Sequence, residues 1–193
     1  YPITEAFDGS FNGGDGWAID PNEGSDFVAV VKAANNLGGP AGTALKFQFS
    51  YFFGGQHILG KFRLSATTSA QSTYGQGATC NDATPAGSAN WTVLVPQSVS
   101  SQNGQTLTPQ PDGSVLASGA NPSGDRVTFR VETSMKGITG FRLEALADSS
   151  LADNGPGRAS NGNFVLNELT VDAQSSVAVP SLGTWAMALM ALL

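Results

Sequence analysis

Cysteine is almost missing from this chain, and Cys80 stands alone. A lone thiol closes no internal disulfide, and no second ligand accompanies it for zinc or haem. The fold must therefore be held by burial, for which 193 residues suffice. Histidine is as scarce. His57 is the only one, so a Ser-His-Asp or Cys-His relay would have to run through it. It follows Gly54-Gly55-Gln56 and reads as a turn histidine at a strand entrance. Basic residues are few: nine Lys and Arg against fifteen Asp and Glu give a net charge of −6. Without a basic stripe to displace phosphate counterions, nucleic acid is not an expected partner. Charged residues make up 12% of the chain, about half the usual share of ~25%. Helical periodicity is lacking throughout the chain before its apolar tail.

The sequence has instead turn residues and alternation. Glycine alone accounts for 24 positions. Gly, Asn and Asp cluster at residues 8–10, 12–16, 112–114 and 154–157, where tight turns need positive φ. Phe27-Val28-Ala29-Val30-Val31 is a short apolar run that reads as a buried strand. Leu45, Phe47, Phe49 and Tyr51 alternate with Lys46, Gln48 and Ser50, which puts one face in a core and the other in water. The same period of two recurs at residues 62–64, 127–131 and 141–145. A last strand spans about 163–171, and its parity slips between Leu166 and Leu169, which suggests a bulge. Residues 68–125 read as long loops and hairpins of the same domain, with Trp91-Thr92-Val93-Leu94-Val95 the clearest strand. The segments 58–66 and 138–145 echo one another, each an amphipathic strand with an outward arginine. Phe47, Phe49, Leu64, Phe129, Phe141 and Leu143 are the expected core.

Two blocks carry a resemblance. One runs from Asp8-Gly9 and Gly16-Trp17-Ala18-Ile19 to Gly55-Gln56-His57-Ile58-Leu59-Gly60-Lys61-Phe62-Arg63-Leu64-Ser65. The other comprises Asp112-Gly113-Ser114-Val115-Leu116, Phe141-Arg142-Leu143-Glu144-Ala145-Leu146 and Gly155-Pro156-Gly157-Arg158 through Leu166. Together they resemble segments of large secreted cytochrome-c-like proteins of planctomycetes and other environmental bacteria, segments similar to galactose-binding-like (discoidin-type) jelly rolls. The two blocks stand here in the reverse of the family's usual order. The haem motif Cys-x-x-Cys-His is absent, so the resemblance implies the accessory module and not electron transfer. The tail, Val179-Pro180-Ser181-Leu182-Gly183-Thr184-Trp185, is similar to the start of an Ile-Pro-Thr-Leu-type sorting signal, from which Ser181 and Gly183 depart.

The resulting expectation is an all-β, jelly-roll-like antiparallel β-sandwich of about eight strands over residues 1–172. A linker at 173–180 and a truncated hydrophobic sorting or transmembrane segment at 181–193 follow, the latter a short helix. Because Tyr1 opens without an initiator methionine or signal peptide and the chain stops inside an apolar run, a mature or truncated fragment is expected. The full-length protein would continue the apolar run and meet the membrane through it.

The expected function is a non-catalytic carbohydrate- or matrix-binding module of a secreted protein displayed at a bacterial cell surface. A structural or adhesive spacer without a small ligand is the alternative, and a polysaccharide-active enzyme fragment the third reading. Glycosidase chemistry needs two carboxylates facing one another, for which Glu144 and Glu168, on separate strands, are the candidates. Sugars are held by aromatic faces and by Arg, Asn or Asp at hydroxyl groups. The ligand-binding candidates are accordingly Trp17, His57, Arg63, Arg142, Arg158, Asn161 and Asn163, with Trp91 as a further aromatic. No cofactor is expected beyond a possible structural Ca2+. Calcium takes six to eight oxygen ligands from carboxylates and carbonyls, and Asp8, Asp15, Asp20 and Asp26 lie in loops that can supply them.

Overall fold

The computed structural model describes residues 2–11, 13–80 and 87–175. They form an all-β protein of antiparallel sheets. The strands are β1 (Trp17–Ala18), β2 (Phe27–Leu37), β3 (Thr43–Tyr51), β4 (Lys61–Thr67), β5 (Gly77–Cys80), β6 (Thr92–Val93), β7 (Ser98–Ser101), β8 (Gln105–Pro109), β9 (Val115–Gly119), β10 (Asp125–Thr133), β11 (Ile138–Ala145), β12 (Val165–Leu166) and β13 (Glu168–Ser175). A four-stranded sheet has the order β13-β3-β10-β7. A seven-stranded sheet has the order β5-β2-β11-β4-β9-β8, with β6 added to β4. A short pair, β1-β12, stands apart.

The alternation read from the sequence is what places the core. Phe47 and Phe49 of β3 meet Phe129 and Val127 of β10 in register, and all four are buried. From the larger sheet Phe62, Leu64, Phe141 and Leu143 join the same apolar cluster, giving a sandwich-like interior. Phe47 meets Phe129 and Phe141 edge to face at 5.8 and 5.2 Å, the arrangement that ring quadrupoles favour. All six residues expected in the core are less than 9% exposed.

The expected strands at 27–31, 45–51, 62–64, 127–131 and 141–145 lie inside longer observed ones. The echoing segments become neighbours: β4 and β11 pair directly, with Arg63 opposite Glu144 and Ser65 opposite Arg142. The parity slip near Leu166 has a specific cause. At Asn167 the chain leaves its pairing with β1 and joins β3, so residues on either side answer to different partners. β13 continues to Ser175, opposite Thr43, so residues 173–175 extend the sheet instead of forming the expected linker. Within 91–95 only Thr92–Val93 is a strand, because β6 pairs with no more than Ser65 and Ala66. The short strands β5, β7, β8 and β9 fill the stretch read as loops. Among the described residues no helix is long and apolar enough to cross a membrane. The expected C-terminal helix and sorting segment lie outside the described residues.

Candidate functional site

Arg63 and Arg142 do come together, but on a carboxylate of their own chain. Arg63 donates from Nε and Nη2 to the two oxygens of Glu144 at 2.8 and 2.7 Å, a bidentate fork. Arg142 Nη2 approaches Glu144 Oε2 at 3.4 Å, and its guanidinium lies 5.5 Å from the centre of the Trp91 ring. The hydrogen bond to Glu144 holds the Arg63 guanidinium above its usual range. Trp91 in turn meets Tyr74, whose hydroxyl donates to Thr139 Oγ1. A Cβ on Gly140 would lie 2.5 Å from that hydroxyl, so only glycine admits Tyr74 here. The outcome is a chain segment fastened over the outer face of the larger sheet, with both guanidiniums paired to Glu144 although Arg142 Nε is left without a hydrogen-bond partner.

The other sugar-binding candidates are also mostly engaged in the fold. Trp17 is 3% exposed, its ring meeting Phe164 edge to face at 5.0 Å, so it belongs to the core and offers no stacking face. The expectation for Trp17 is therefore corrected, because β1 pairs with β12 and turns the indole inward. Arg158 donates to Gln105 Oε1 and to the carbonyls of Ala120 and Gly119, and burial lowers its pKa. Asn163 is buried and accepts from Ile19 N. Asn161 donates to Glu23 Oε1 and accepts from Asn163 N. Of the seven, His57 sits against exposed aromatic surface. Its ring lies 5.0 Å from that of Phe53, edge to face, with Nδ1 2.9 Å from the Gly54 carbonyl oxygen.

That aromatic surface was missed in the sequence. Phe11, Phe52 and Phe53 are 52%, 40% and 39% exposed, and among the described residues three of the four exposed large apolar side chains thus gather at one end of the sandwich. Phe11 and Phe52 lie 6.5 Å apart, and Arg126 stands 5.5 Å from the centre of the Phe52 ring. Two devices hold the rings outward. Asn167 Oδ1 accepts from the backbone N–H of both Phe52 and Phe53, and its amide donates to the Asp15 carbonyl. Gly54, Gly55 and Gln56 follow with φ of 89°, 59° and 66°, an abrupt left-handed turn in which Gln56 is not a glycine. The loop at 8–16 comes so close that a Cβ on Gly13 would lie 2.9 Å from the Phe52 carbonyl oxygen.

Beside the rings is a polar cleft of about 310 Å³, lined among others by Phe52, Gln102, Asn103, Ser123 and Arg126. Its floor is rigid. Asp125 is buried and accepts from Ser101 Oγ, Gln105 Nε2, Asn103 N and Arg126 N. Burial and the Asp125 charge push the Tyr51 hydroxyl well above its usual range. A wider depression of about 630 Å³ lies against the smaller sheet at Lys46, Arg130 and Asp172. No aromatic ring lines it, and Lys46 is already paired with Asp172 at 2.5 Å.

The four aspartates considered for a metal separate into two sets. Carboxylate oxygens of Asp8, Asp15 and Glu5 lie within 4.8 Å of one another. Glu168 faces the same loop, accepting from Gly9 N at 3.0 Å. Burial pushes the Glu168 carboxyl above its usual range, the Asp8 and Asp15 charges add to this, and the Gly9 N–H opposes it. Asp15 Oδ1 is buried without a hydrogen-bond partner. Asp20 and Asp26 stand elsewhere and are exposed, Asp26 accepting from Ala147 N. They are removed from the candidate ligand set, because the loop folds Glu5 and not these residues toward Asp8 and Asp15. The donor set is all oxygen, which fits a hard cation such as calcium.

The fold and its end cleft define an all-β scaffold presenting aromatic and amide groups on loops. Comparison with protein-family models, with curated proteins and with solved structures finds no match.

Proposed function

We propose that this domain is a non-catalytic carbohydrate- or matrix-binding module of a secreted bacterial surface protein, with its ligand at the aromatic end of the sandwich. The observation that carries this reading is the gathering of exposed Phe11, Phe52 and Phe53 beside an amide-lined cleft. Contiguous exposed apolar surface rimmed by polar groups often marks an interaction site. Loops held by a rigid scaffold are the usual place for ligand contacts. The two antiparallel sheets sharing one core support reading the fold as a jelly roll. Membrane attachment through the C-terminal segment belongs to this proposal as well.

A structural calcium completes the reading. Glu5, Asp8, Asp15 and Glu168 would hold it, and it would neutralise carboxylates that now repel one another. Fixing the loop at 8–16 would also fix Phe11. A glycan array with the native protein and with Phe52→Ala tests the proposal. Binding by the native protein that Phe52→Ala abolishes is expected. No binding to any glycan by the native protein would favour the spacer reading. Turnover of a polysaccharide would favour the enzyme reading.

A further inference from the structure

Three of the other four arginines bind acceptors of their own chain. Arg63 and Arg142 share Glu144, and Arg158 fastens three acceptors. Arg126 differs. Like the exposed Arg130 it makes no ion pair among the described residues, and like Arg142 it has a buried Nε without a hydrogen-bond partner; Arg126 alone combines the two. The adjacent Asp125 does not serve the guanidinium, because its carboxylate accepts from Ser101, Gln105 and the backbone N–H groups of Asn103 and Arg126. A buried charged donor left unmade is costly, and native proteins keep such groups where something else supplies the acceptor. Arg126 also lines the end cleft and stands over the exposed Phe52 ring.

Resting on the reading of this end as a saccharide site, we infer that Arg126 determines its specificity and that the ligand carries an anionic group. That group is a uronate carboxylate or a sulfate ester, two sources of one oxyanion chemistry that a guanidinium fork recognises. The pyranose ring would lie on Phe52, and Asn103, Gln102 and Ser123 would meet its hydroxyl groups. At about 310 Å³ the cleft is near the lower limit of small-molecule sites, about 300–1,000 Å³, so it takes a short stretch of sugar and not a long chain.

The chain's net charge of −6 opposes a distant polyanion but not this contact. The nearest carboxylate, Asp125, also lines the cleft, but its oxygens are taken up by Ser101, Gln105 and the backbone N–H groups of Asn103 and Arg126. The next in register is Glu168, reached from Arg126 across Ser50. Two strand spacings place it about 10 Å away. That exceeds the Debye length of about 8 Å at physiological salt, while the Arg126 contact is direct.

Isothermal titration of the native protein, Arg126→Gln and the control Arg130→Gln tests the inference with oligogalacturonate, oligoglucuronate, a sulfated oligogalactoside and the neutral oligogalactoside. The native protein and the control should prefer an acidic oligosaccharide to the neutral one by roughly tenfold to a hundredfold, the range of one charge-assisted hydrogen bond. Arg126→Gln should lose that preference while still binding the neutral sugar, and the acidic form preferred identifies the oxyanion. Equal binding of neutral and acidic sugars by the native protein overturns the inference but leaves the site. A preference that survives in Arg126→Gln also overturns it. Failure of every oligosaccharide to bind overturns the site with it.

Discussion

Two parts of this molecule treat their aromatic and charged side chains in opposite ways. At the β4–β11 pair, each charge faces another and the aromatic Trp91 closes over them. At the loop end, Phe11, Phe52 and Phe53 face solvent and Arg126 has no acid. The residue types are the same, so composition alone does not separate a staple from a site. What separates them is whether the fold itself completes the contacts.

The largest effect should come from the core beneath both regions. Phe129→Ala is expected to cost about 3–5 kcal/mol in denaturant unfolding, since its ring is fully buried against Phe47. Next is the staple. Glu144→Gln should cost about 1.5–3 kcal/mol, because it removes the shared acceptor of two partly buried guanidiniums. If that variant unfolds like the native protein, the staple and the site are not different in kind. Phe53→Ala at the loop end should change stability by less than about 0.5 kcal/mol while weakening ligand binding. A large loss of stability there would make the exposed rings structural after all.

The acidic loop gives a prediction of defined sign. Burial and like charges raise the folded pKa of Glu168, so over that interval the folded state holds a proton the unfolded state has lost. Stability without cation should therefore fall as pH rises through the usual glutamate range toward the raised value. Added calcium should raise the melting temperature at neutral pH and do less at pH 4. An unchanged melt at both would remove the cation from the account. A modest effect is also expected at Lys61–Asp148, a partly exposed pair at 2.8 Å in which Lys61 and Ser150 hold Asp148 down to about 2. Its contribution is present above the usual aspartate value near 3.8 and is lost as pH falls toward 2, and Asp148→Asn should cost no more than about 1 kcal/mol.

The sequence disclosed those strands whose burial is one-sided. β3, β10 and β11 announce themselves because alternate positions are Phe, Leu or Val. Ser98–Ser101 and Gln105–Pro109 do not, since their sequences offer little apolar alternation and their pairing rests on backbone hydrogen bonds. The parity slip at Asn167 was legible as an irregularity, but not its cause, which lies in the distant partners β1 and β3. At the site, Trp17 and Arg63 looked suited to sugar by residue type, yet long-range pairing turned one inward and matched the other to Glu144. Phe52 and Phe53 carried a usable signal. Three consecutive aromatics from Tyr51 cannot all face one side of a strand, and the Gly54-Gly55 that follows ends the strand. Arg126 carried none, because its lack of an acid depends on where every other strand lies.

Amide chemical-shift mapping tests the division between staple and site most directly, using the tightest-binding oligosaccharide and the native protein. The account predicts shifts concentrated at Phe52–His57, Gln102–Asn103 and Ser123–Arg126, with Trp91, Arg142 and Glu144 unmoved. Shifts centred on Trp91, Arg63 and Arg142, with the phenylalanine end silent, would contradict it.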